Sequence, residues 1–107
     1  MAEIDSLVLK EIREFIRQLK AIDVRVDGAY LFGSYAKASH NKWSDIDLAV
    51  ISPDFSDDRF EERLRLMRIA SGIDDRIEPV PFRPDKFSDD DPLVWEIKMN
   101  GIKVEVE

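Results

Sequence analysis

The sequence of 107 residues contains no cysteine, no apolar run long enough to cross a membrane and no charged-then-apolar segment that would direct secretion. The absence of cysteine excludes disulfides, thiolate metal sites and thiol catalysis. The absence of the other two signals predicts a cytoplasmic protein without membrane association. Because a chain of this length can bury a core without covalent cross-links, we expect one domain that spans residues 1–107.

Positive charge is also scarce. The chain has 16 basic and 23 acidic residues, which gives a formal net charge of −7. An acidic surface repels a polyphosphate backbone, so direct binding of DNA or RNA along a broad face is disfavoured. A small anionic ligand remains possible, particularly if a divalent cation lies between the ligand and the protein.

Three segments have the pattern of helices. Residues 4–21 carry apolar side chains at helical spacing opposite a charged face. Residues 57–72 follow with acidic residues at their start and a glycine at their end. A third, short helix is expected over residues 92–99, capped by Asp91. The predicted buried stripe of the second helix consists of Phe60, Leu64 and Met67.

Four segments have the pattern of strands. Residues 24–34 and 46–51 are rich in β-branched and apolar residues, residues 76–80 are a short third run, and the last strand alternates from residue 102 to 106. Residues 81–91 are predicted to form a loop, because they are dense in proline and acid. The order of elements predicts a compact α/β or α+β domain with a small mixed sheet flanked by helices.

Two aspartates stand one residue apart where the second apolar run begins. Asp45 and Asp47 would point to the same face of a strand, with Cα atoms roughly 6.6 Å apart. Two adjacent carboxylates repel each other, and Mg²⁺, which prefers oxygen ligands, removes that repulsion. The alternative is that Asp45 belongs to a turn and that Asp47 is a solvent-facing strand residue.

A Gly-Ser pair stands where the preceding apolar run ends. Gly33 would let the backbone approach a ligand closely, and Ser34 with the free N–H groups of a following helical turn could bind phosphate. Alternatively, the pair forms a turn and its cap. Together with the aspartates, the pair indicates a phosphate site beside a metal-binding dyad.

The sequence LFGSYAKASHNKWSDIDLAVIS resembles the minimal nucleotidyltransferases of the DNA polymerase β superfamily, whose signature is Gly-Ser followed by Asp-x-Asp. The resemblance extends over essentially the whole chain and implies a nucleotidyltransferase fold. Family members also carry a third carboxylate on a neighbouring strand. Glu78 is the candidate for it, with Asp74 and Asp75 as rivals. A second glycine that is usual in the family is replaced by Ala38.

The resemblance implies a reaction that uses two Mg²⁺ ions and a nucleoside triphosphate such as ATP. Asp45, Asp47 and Glu78 would hold the metal ions and act in catalysis, while Gly33, Ser34 and Lys42 would bind the phosphates. A nucleoside monophosphate would pass to an acceptor hydroxyl, and the partner would be a HEPN-type protein for which this chain is the antitoxin, or a second copy of the chain. Two alternatives remain: a degenerate nucleotide-binding member of the family, and an interaction module without catalysis.

Overall fold

The computed structural model describes residues 5–36 and 44–106. The elements follow the predicted order: α1 (Ser6–Ala21), β1 (Gly28–Phe32), β2 (Ile46–Ile51), α2 (Arg59–Ser71), β3 (Ile77–Phe82), α3 (Pro92–Asn100) and β4 (Ile102–Val104). The four strands form one sheet in the order β3-β2-β1-β4. β1 pairs antiparallel with both β2 and β4, whereas β2 and β3 are parallel, so the sheet is mixed as expected.

Helices cover both faces of the sheet. On one face, α1 and α2 pack against side chains of β1 and β2, in a cluster that includes Phe15, Leu48 and Leu66. On the other face, α3 contributes Val94 and Ile97 to a smaller cluster. Since β2 is covered on both faces, all its residues except Asp47 are buried. No helix in the described part of the chain is both long enough and apolar enough to span a bilayer.

The helix boundaries follow from local side-chain chemistry. Asp5, Asp58 and Asp91 each accept backbone N–H groups at the start of α1, α2 and α3. Such caps satisfy donors that have no partner inside a helix. Pro92 occupies the first helical position of α3, where the missing N–H costs nothing. The predicted cap at Asp91 and the stop at Gly72 are therefore confirmed.

The first, third and fourth strands differ in extent from the prediction, and β4 ends at Val104 rather than at residue 106. β1 begins at Gly28 rather than at residue 24. β3 continues through Pro81 to Phe82, although the two prolines in this segment favoured a loop from residue 81. Pro79 and Pro81 are tolerated because β3 is an edge strand, and prolines at alternate positions lack N–H groups on the side that faces away from β2. They also leave that edge with fewer donors for pairing with another strand.

The predicted buried stripe of α2 is wrong. Phe60 is 74% exposed, and Leu64 and Met67 are also exposed. The buried residues are Glu62, Leu66 and Ala70, which lie about 120° around the helix from that stripe. Glu62 is tolerated there because its carboxylate accepts the Ser56 N–H at 2.6 Å and lies 3.2 Å from the Arg65 guanidinium. A carboxylate that is hydrogen-bonded in this way can be buried at low cost, so a face that contains Glu62 can lie against the core.

We expect two leucine substitutions in α2 to separate these faces. Leu66→Ala removes a fully buried side chain and should lower the free energy of unfolding by about 2–5 kcal/mol. Leu64→Ala, which is the same chemical change on the exposed face, should change it by about 0.5 kcal/mol or less. Urea denaturation of both variants measures the difference. Equal losses would mean that Leu64 is buried after all.

Candidate active site

The first strand ends in a turn that requires glycine at its start. Gly33 has a φ of +72°, in the left-handed region that side chains with a Cβ rarely adopt. A Cβ at this position would overlap Oδ2 of Asp47 and lie 3.2 Å from its carboxyl carbon. The backbone at Gly33 therefore lies against the Asp47 carboxylate more closely than another residue would permit. The Gly-Ser turn and the Asp-x-Asp segment meet at this point.

Asp47 occupies the centre of the candidate site because β2 lies between two other strands. It pairs with Phe32 of β1 on one side and with Glu78 of β3 on the other. Paired residues on neighbouring strands project from the same face, at an inter-strand spacing of about 4.8 Å. Asp45 lies two residues before Asp47, exposed at the entry to β2. Asp45, Asp47 and Glu78 thus lie near the N-terminal ends of two adjacent parallel strands, and we call this region the acidic edge.

Burial and like charge act together on Asp47. Partial burial is the main cause that raises the pKa of its carboxyl above the ordinary value, and the neighbouring charges of Asp45 and Glu78 raise the pKa further. The guanidinium of Arg63 acts in the opposite direction. Without a bound cation, the ionised form of Asp47 is therefore disfavoured by its surroundings.

Glu78 has a cationic neighbour. Nη2 of Arg63, on α2, lies 3.4 Å from Oε2 of Glu78, and both side chains are partly exposed. A long and exposed ion pair contributes at most about 1 kcal/mol. The pair partly neutralises the acidic edge, and it is weak enough to open for a stronger ligand.

The rival carboxylates have different surroundings. Asp74 accepts hydrogen bonds from the Arg76 guanidinium at 2.8–3.2 Å, which hold the pKa of Asp74 well below its usual range. Asp75 is exposed in the turn before β3. Glu78, by contrast, is in register with Asp47. This placement favours Glu78 as the third carboxylate, and its assignment stays a prediction.

Sequence reasoning missed a polar network beside the Gly-Ser turn, which we call the Arg76 network: Glu11, Tyr35, Asp74 and Arg76. Nη1 of Arg76 donates to the hydroxyl of Tyr35 at 2.9 Å, and Tyr35 is buried directly after Gly33 and Ser34. Glu11, on α1, belongs to the same group, because Asp74 contributes to raising the pKa of the Glu11 carboxyl. The only signal in the sequence was an arginine at the start of a predicted strand, which does not reveal its partners.

The donor set at the acidic edge is suited to a hard cation. Carboxylate oxygens from Asp45, Asp47 and Glu78 are the ligands that Mg²⁺ prefers, and the raised pKa of Asp47 indicates a site that favours added positive charge. Among residues 5–36 and 44–106, however, no three acidic or histidine side chains stand close enough together to enclose an ion. Glu78 would have to leave Arg63 to take part, and the use of two ions stays a prediction. Lys42 and Ala38 lie outside the described residues.

Comparison with known proteins decides the family. The sequence model of the nucleotidyltransferase domain matches residues 9–103. The chain belongs to the nucleotidyltransferase family. The resemblance that the Gly-Ser and Asp-x-Asp motifs indicated is thereby confirmed, and a minimal nucleotidyltransferase is the form that the relatives support.

A curated relative of this nucleotidyltransferase is the protein adenylyltransferase MntA of Shewanella oneidensis. The two sequences are 32% identical over 79 residues, which make up 74% of this chain and 51% of MntA. The chain thus spans about half the length of that relative.

Solved structures agree with the fold. A toxin-antitoxin crystallised with AMP-PNP superposes with a TM-score of 0.62 at 24% identity, over 92% of this chain and 73% of that one. A mutant of the toxin-antitoxin MntA-HpeT gives 0.62 at 26% identity, over 88% and 71%. A nucleotidyltransferase from Sulfolobus solfataricus gives 0.60 at 18% identity, over 96% and 89%. The predicted nucleotidyltransferase-like α+β fold is confirmed.

Replacing Asp47 should stabilise the metal-free protein. Because folding raises the pKa of Asp47, ionisation of this carboxyl favours the unfolded chain. The protein therefore loses stability as the pH rises from 3.8, the ordinary pKa of the carboxyl, through its raised pKa in the folded protein. In EDTA at pH 7, Asp47→Asn should raise the melting temperature by about 1–5 °C, since like charges on paired strands cost up to about 1 kcal/mol. The gain should shrink at pH 4.

Thermal denaturation followed by circular dichroism measures this effect, with Asp75→Asn as the control that changes charge in the exposed turn. The control should melt within about 1 °C of the original protein. A lower melting temperature for metal-free Asp47→Asn would contradict the prediction and assign the carboxylate a structural hydrogen bond.

Proposed function

We propose that this nucleotidyltransferase moves a nucleoside monophosphate from ATP, or another nucleoside triphosphate, to a hydroxyl group of a HEPN-type protein partner. The reaction would depend on magnesium and take place in the cytoplasm. The observation that carries the proposal is the meeting of Gly33 with Asp47, in register with Glu78, in a chain of the nucleotidyltransferase family.

The Gly-Ser turn is suited to the phosphates. The N–H groups at the start of the Gly33–Tyr35 turn have no helical partners, and the absence of a Cβ at Gly33 keeps the backbone accessible. In this proposal Gly33 and Ser34 bind the β- and γ-phosphates. Lys42 would supply a further positive charge from the adjoining segment.

The acidic edge is suited to the reacting phosphate. The acceptor oxygen attacks the α-phosphorus, a new P–O bond forms, and the bond to the bridging oxygen breaks, so that pyrophosphate leaves with the electron pair. Glu78 accepts the proton of the attacking hydroxyl or orients that hydroxyl. Asp45, Asp47 and Glu78 would hold magnesium, which would supply charge stabilisation at the reacting phosphate. The ionised form of Asp47, which its surroundings disfavour, would be stabilised by a bound cation.

A protein acceptor is supported by the relatives and by charge. MntA is named a protein adenylyltransferase, and two similar structures are toxin-antitoxin assemblies. The net charge of −7 disfavours a nucleic acid gripped by this chain. A tyrosine hydroxyl is a suitable acceptor, because its phenol is a better nucleophile once deprotonated.

The exposed stripe of α2, formed by Phe60, Leu64 and Met67, is the surface that we assign to this partner. Its residues face away from the core, and Arg63, Arg68 and Glu61 lie beside it. Exposed apolar side chains at helical spacing with a charged rim fit the apolar face of an amphipathic helix of the partner. Arg63 also contacts Glu78, so a partner on this stripe would stand beside the candidate active site.

A second candidate function is nucleotide binding without transfer. The pairing of Glu78 with Arg63 favours this alternative, since it engages the predicted third carboxylate with a side chain of the same molecule. Measuring transfer and binding separately distinguishes the two functions.

Label transfer tests the reaction. With α-labelled ATP, Mg²⁺ and the protein encoded by the neighbouring gene, label should appear on that partner and be lost with EDTA. Asp47→Asn should reduce transfer by about 100-fold or more, because it removes an electrostatic contribution at the reacting phosphate. Ser34→Ala should weaken nucleotide binding about five-fold, the effect of one hydrogen bond.

Calorimetry with MgATP separates the outcomes of this experiment. Tight binding with no label on any acceptor would select the non-catalytic alternative. Label on free RNA or on a small molecule would reject the protein acceptor and retain the transferase. Binding that is equal in the presence and absence of EDTA, and equal in Asp47→Asn, would reject the metal dyad.

The partner surface has its own test. Phe60→Ala should weaken binding to the purified HEPN-type partner about 30-fold or more, as is usual for a central aromatic side chain in an interface. Met99→Ala is the matched control, because Met99 is an exposed apolar residue of α3, on the other face of the sheet. Calorimetric titration of each variant gives both affinities. A loss with Met99→Ala but not with Phe60→Ala would place the partner on α3 instead.

A further inference from the structure

Arg76 contacts both halves of the candidate site. Its backbone carbonyl accepts the N–H of Ile46 at 2.7 Å, between the two aspartates of the Asp-x-Asp segment. Its guanidinium donates to the hydroxyl of Tyr35 at 2.9 Å, in the turn that begins with Gly33. One residue at the entry to β3 thus joins the turn that bears Gly33 to the strand that bears Asp47.

Arg76 is itself held in place. Nε and Nη2 donate to the two carboxylate oxygens of Asp74 at 2.8–3.2 Å, and the Arg76 N–H donates to the same carboxylate at 2.9 Å. The Asp74 side chain is only 14% exposed. A bidentate contact of this kind, which we also call two-pronged, fixes the plane of a guanidinium as well as its position. A lysine ammonium could not form it.

The contact between Arg76 and Tyr35 acts on a turn whose first residue is a flexible glycine. Gly33 has a backbone conformation that the free chain would leave readily, and no side chain caps the turn at Phe32. Tyr35 anchors the turn with its ring in the core and its hydroxyl on Arg76. A displacement of about 1 Å in a positioning group can cost two orders of magnitude in rate.

We propose that Arg76 is a positioning residue, which holds the Gly33–Tyr35 turn in place relative to Asp45 and Asp47 through its contacts with Tyr35 and Ile46. In this position a triphosphate can contact the turn and the two aspartates at the same time. The inference rests on the proposed nucleotide site, and it adds a residue outside the Gly-Ser and Asp-x-Asp motifs. Arg76 acts through its neighbours and need not touch the nucleotide.

Glu11 is the remaining member of the Arg76 network. Burial, followed by the hydrogen bond and the charge of Asp74, raises the pKa of Glu11 to about 7, with Asp5 adding to the rise and Arg76 opposing it. A protonated Glu11 can donate to Asp74.

The experiment compares Arg76→Gln and Tyr35→Phe with Arg83→Gln. Arg83 is a matched control because it is also a partly buried arginine that ties loops together, through the carbonyls of Pro53 and Phe55. It lies beyond the C-terminal end of β3, whereas Arg76 precedes the N-terminal end, about 20 Å away. Each variant is measured for melting temperature, MgATP affinity and hydrogen exchange at the Ala36 N–H, which donates to Gly33 in the turn.

If Arg76 positions the turn, Tyr35→Phe should weaken MgATP binding about five-fold and Arg76→Gln about ten-fold or more. Exchange at Ala36 should accelerate in both variants. Arg83→Gln should lower the melting temperature without changing either readout by more than about two-fold. Arg76→Lys should recover only part of the affinity, since lysine keeps the charge without the two-pronged contact.

Three results would overturn the proposal: unchanged Ala36 exchange in Tyr35→Phe, equal affinity losses in Arg76→Gln and Arg83→Gln, or full recovery with Arg76→Lys. Tyr35→Phe keeps the ring in the core, so it serves if Arg76→Gln does not fold. Failure of the original protein to bind MgATP would reject the proposed function, while the exchange measurement would still report on the turn.

Discussion

The parallel pairing of β2 with β3 is the constraint on which the candidate site depends. Its register places Glu78 beside Asp47, while the antiparallel pairing with β1 brings Phe32, and then Gly33, to the other side of the same aspartate. A shift of one residue in either pairing would send the carboxylate to the opposite face of the sheet. Register in β2 is strongly specified because its other residues are buried on both faces. Packing of β2 in the core thus determines the relative positions of Asp47 and Glu78.

The features that could be predicted from the sequence have local causes. The position of α1 follows from its apolar spacing and from Asp5, the start of α3 follows from Asp91 and Pro92, and β2 is an apolar run closed by Pro53. The Gly-Ser and Asp-x-Asp motifs indicated the family for a related reason, since each occupies a short segment with its own conformational demand. For the Gly-Ser motif this demand is the positive φ of Gly33.

The features that could not be predicted depend on contacts between distant segments. The buried face of α2 is decided by Glu62, whose partner Ser56 lies outside the helix, so the spacing of Phe60 and Leu64 indicated the wrong side. The extension of β3 through Pro81 requires knowing that β3 is an edge strand. The Arg76 network joins α1, the Gly33–Tyr35 turn and the entry to β3, and no window of the sequence contains all of it.

Distance and burial explain why the two ion pairs near the site differ in strength. Arg76 and Asp74 form short, partly buried hydrogen bonds that hold the backbone, whereas Arg63 and Glu78 form a single long contact between partly exposed side chains. In water the second pair contributes at most about 1 kcal/mol, while a divalent ion offers Glu78 a stronger and less screened attraction. In the proposed reaction, Arg63 would neutralise the acidic edge in the absence of metal and would release Glu78 when metal and nucleotide bind. The positioning role proposed for Arg76 requires the rigid pair, and metal binding at Glu78 requires the weak one.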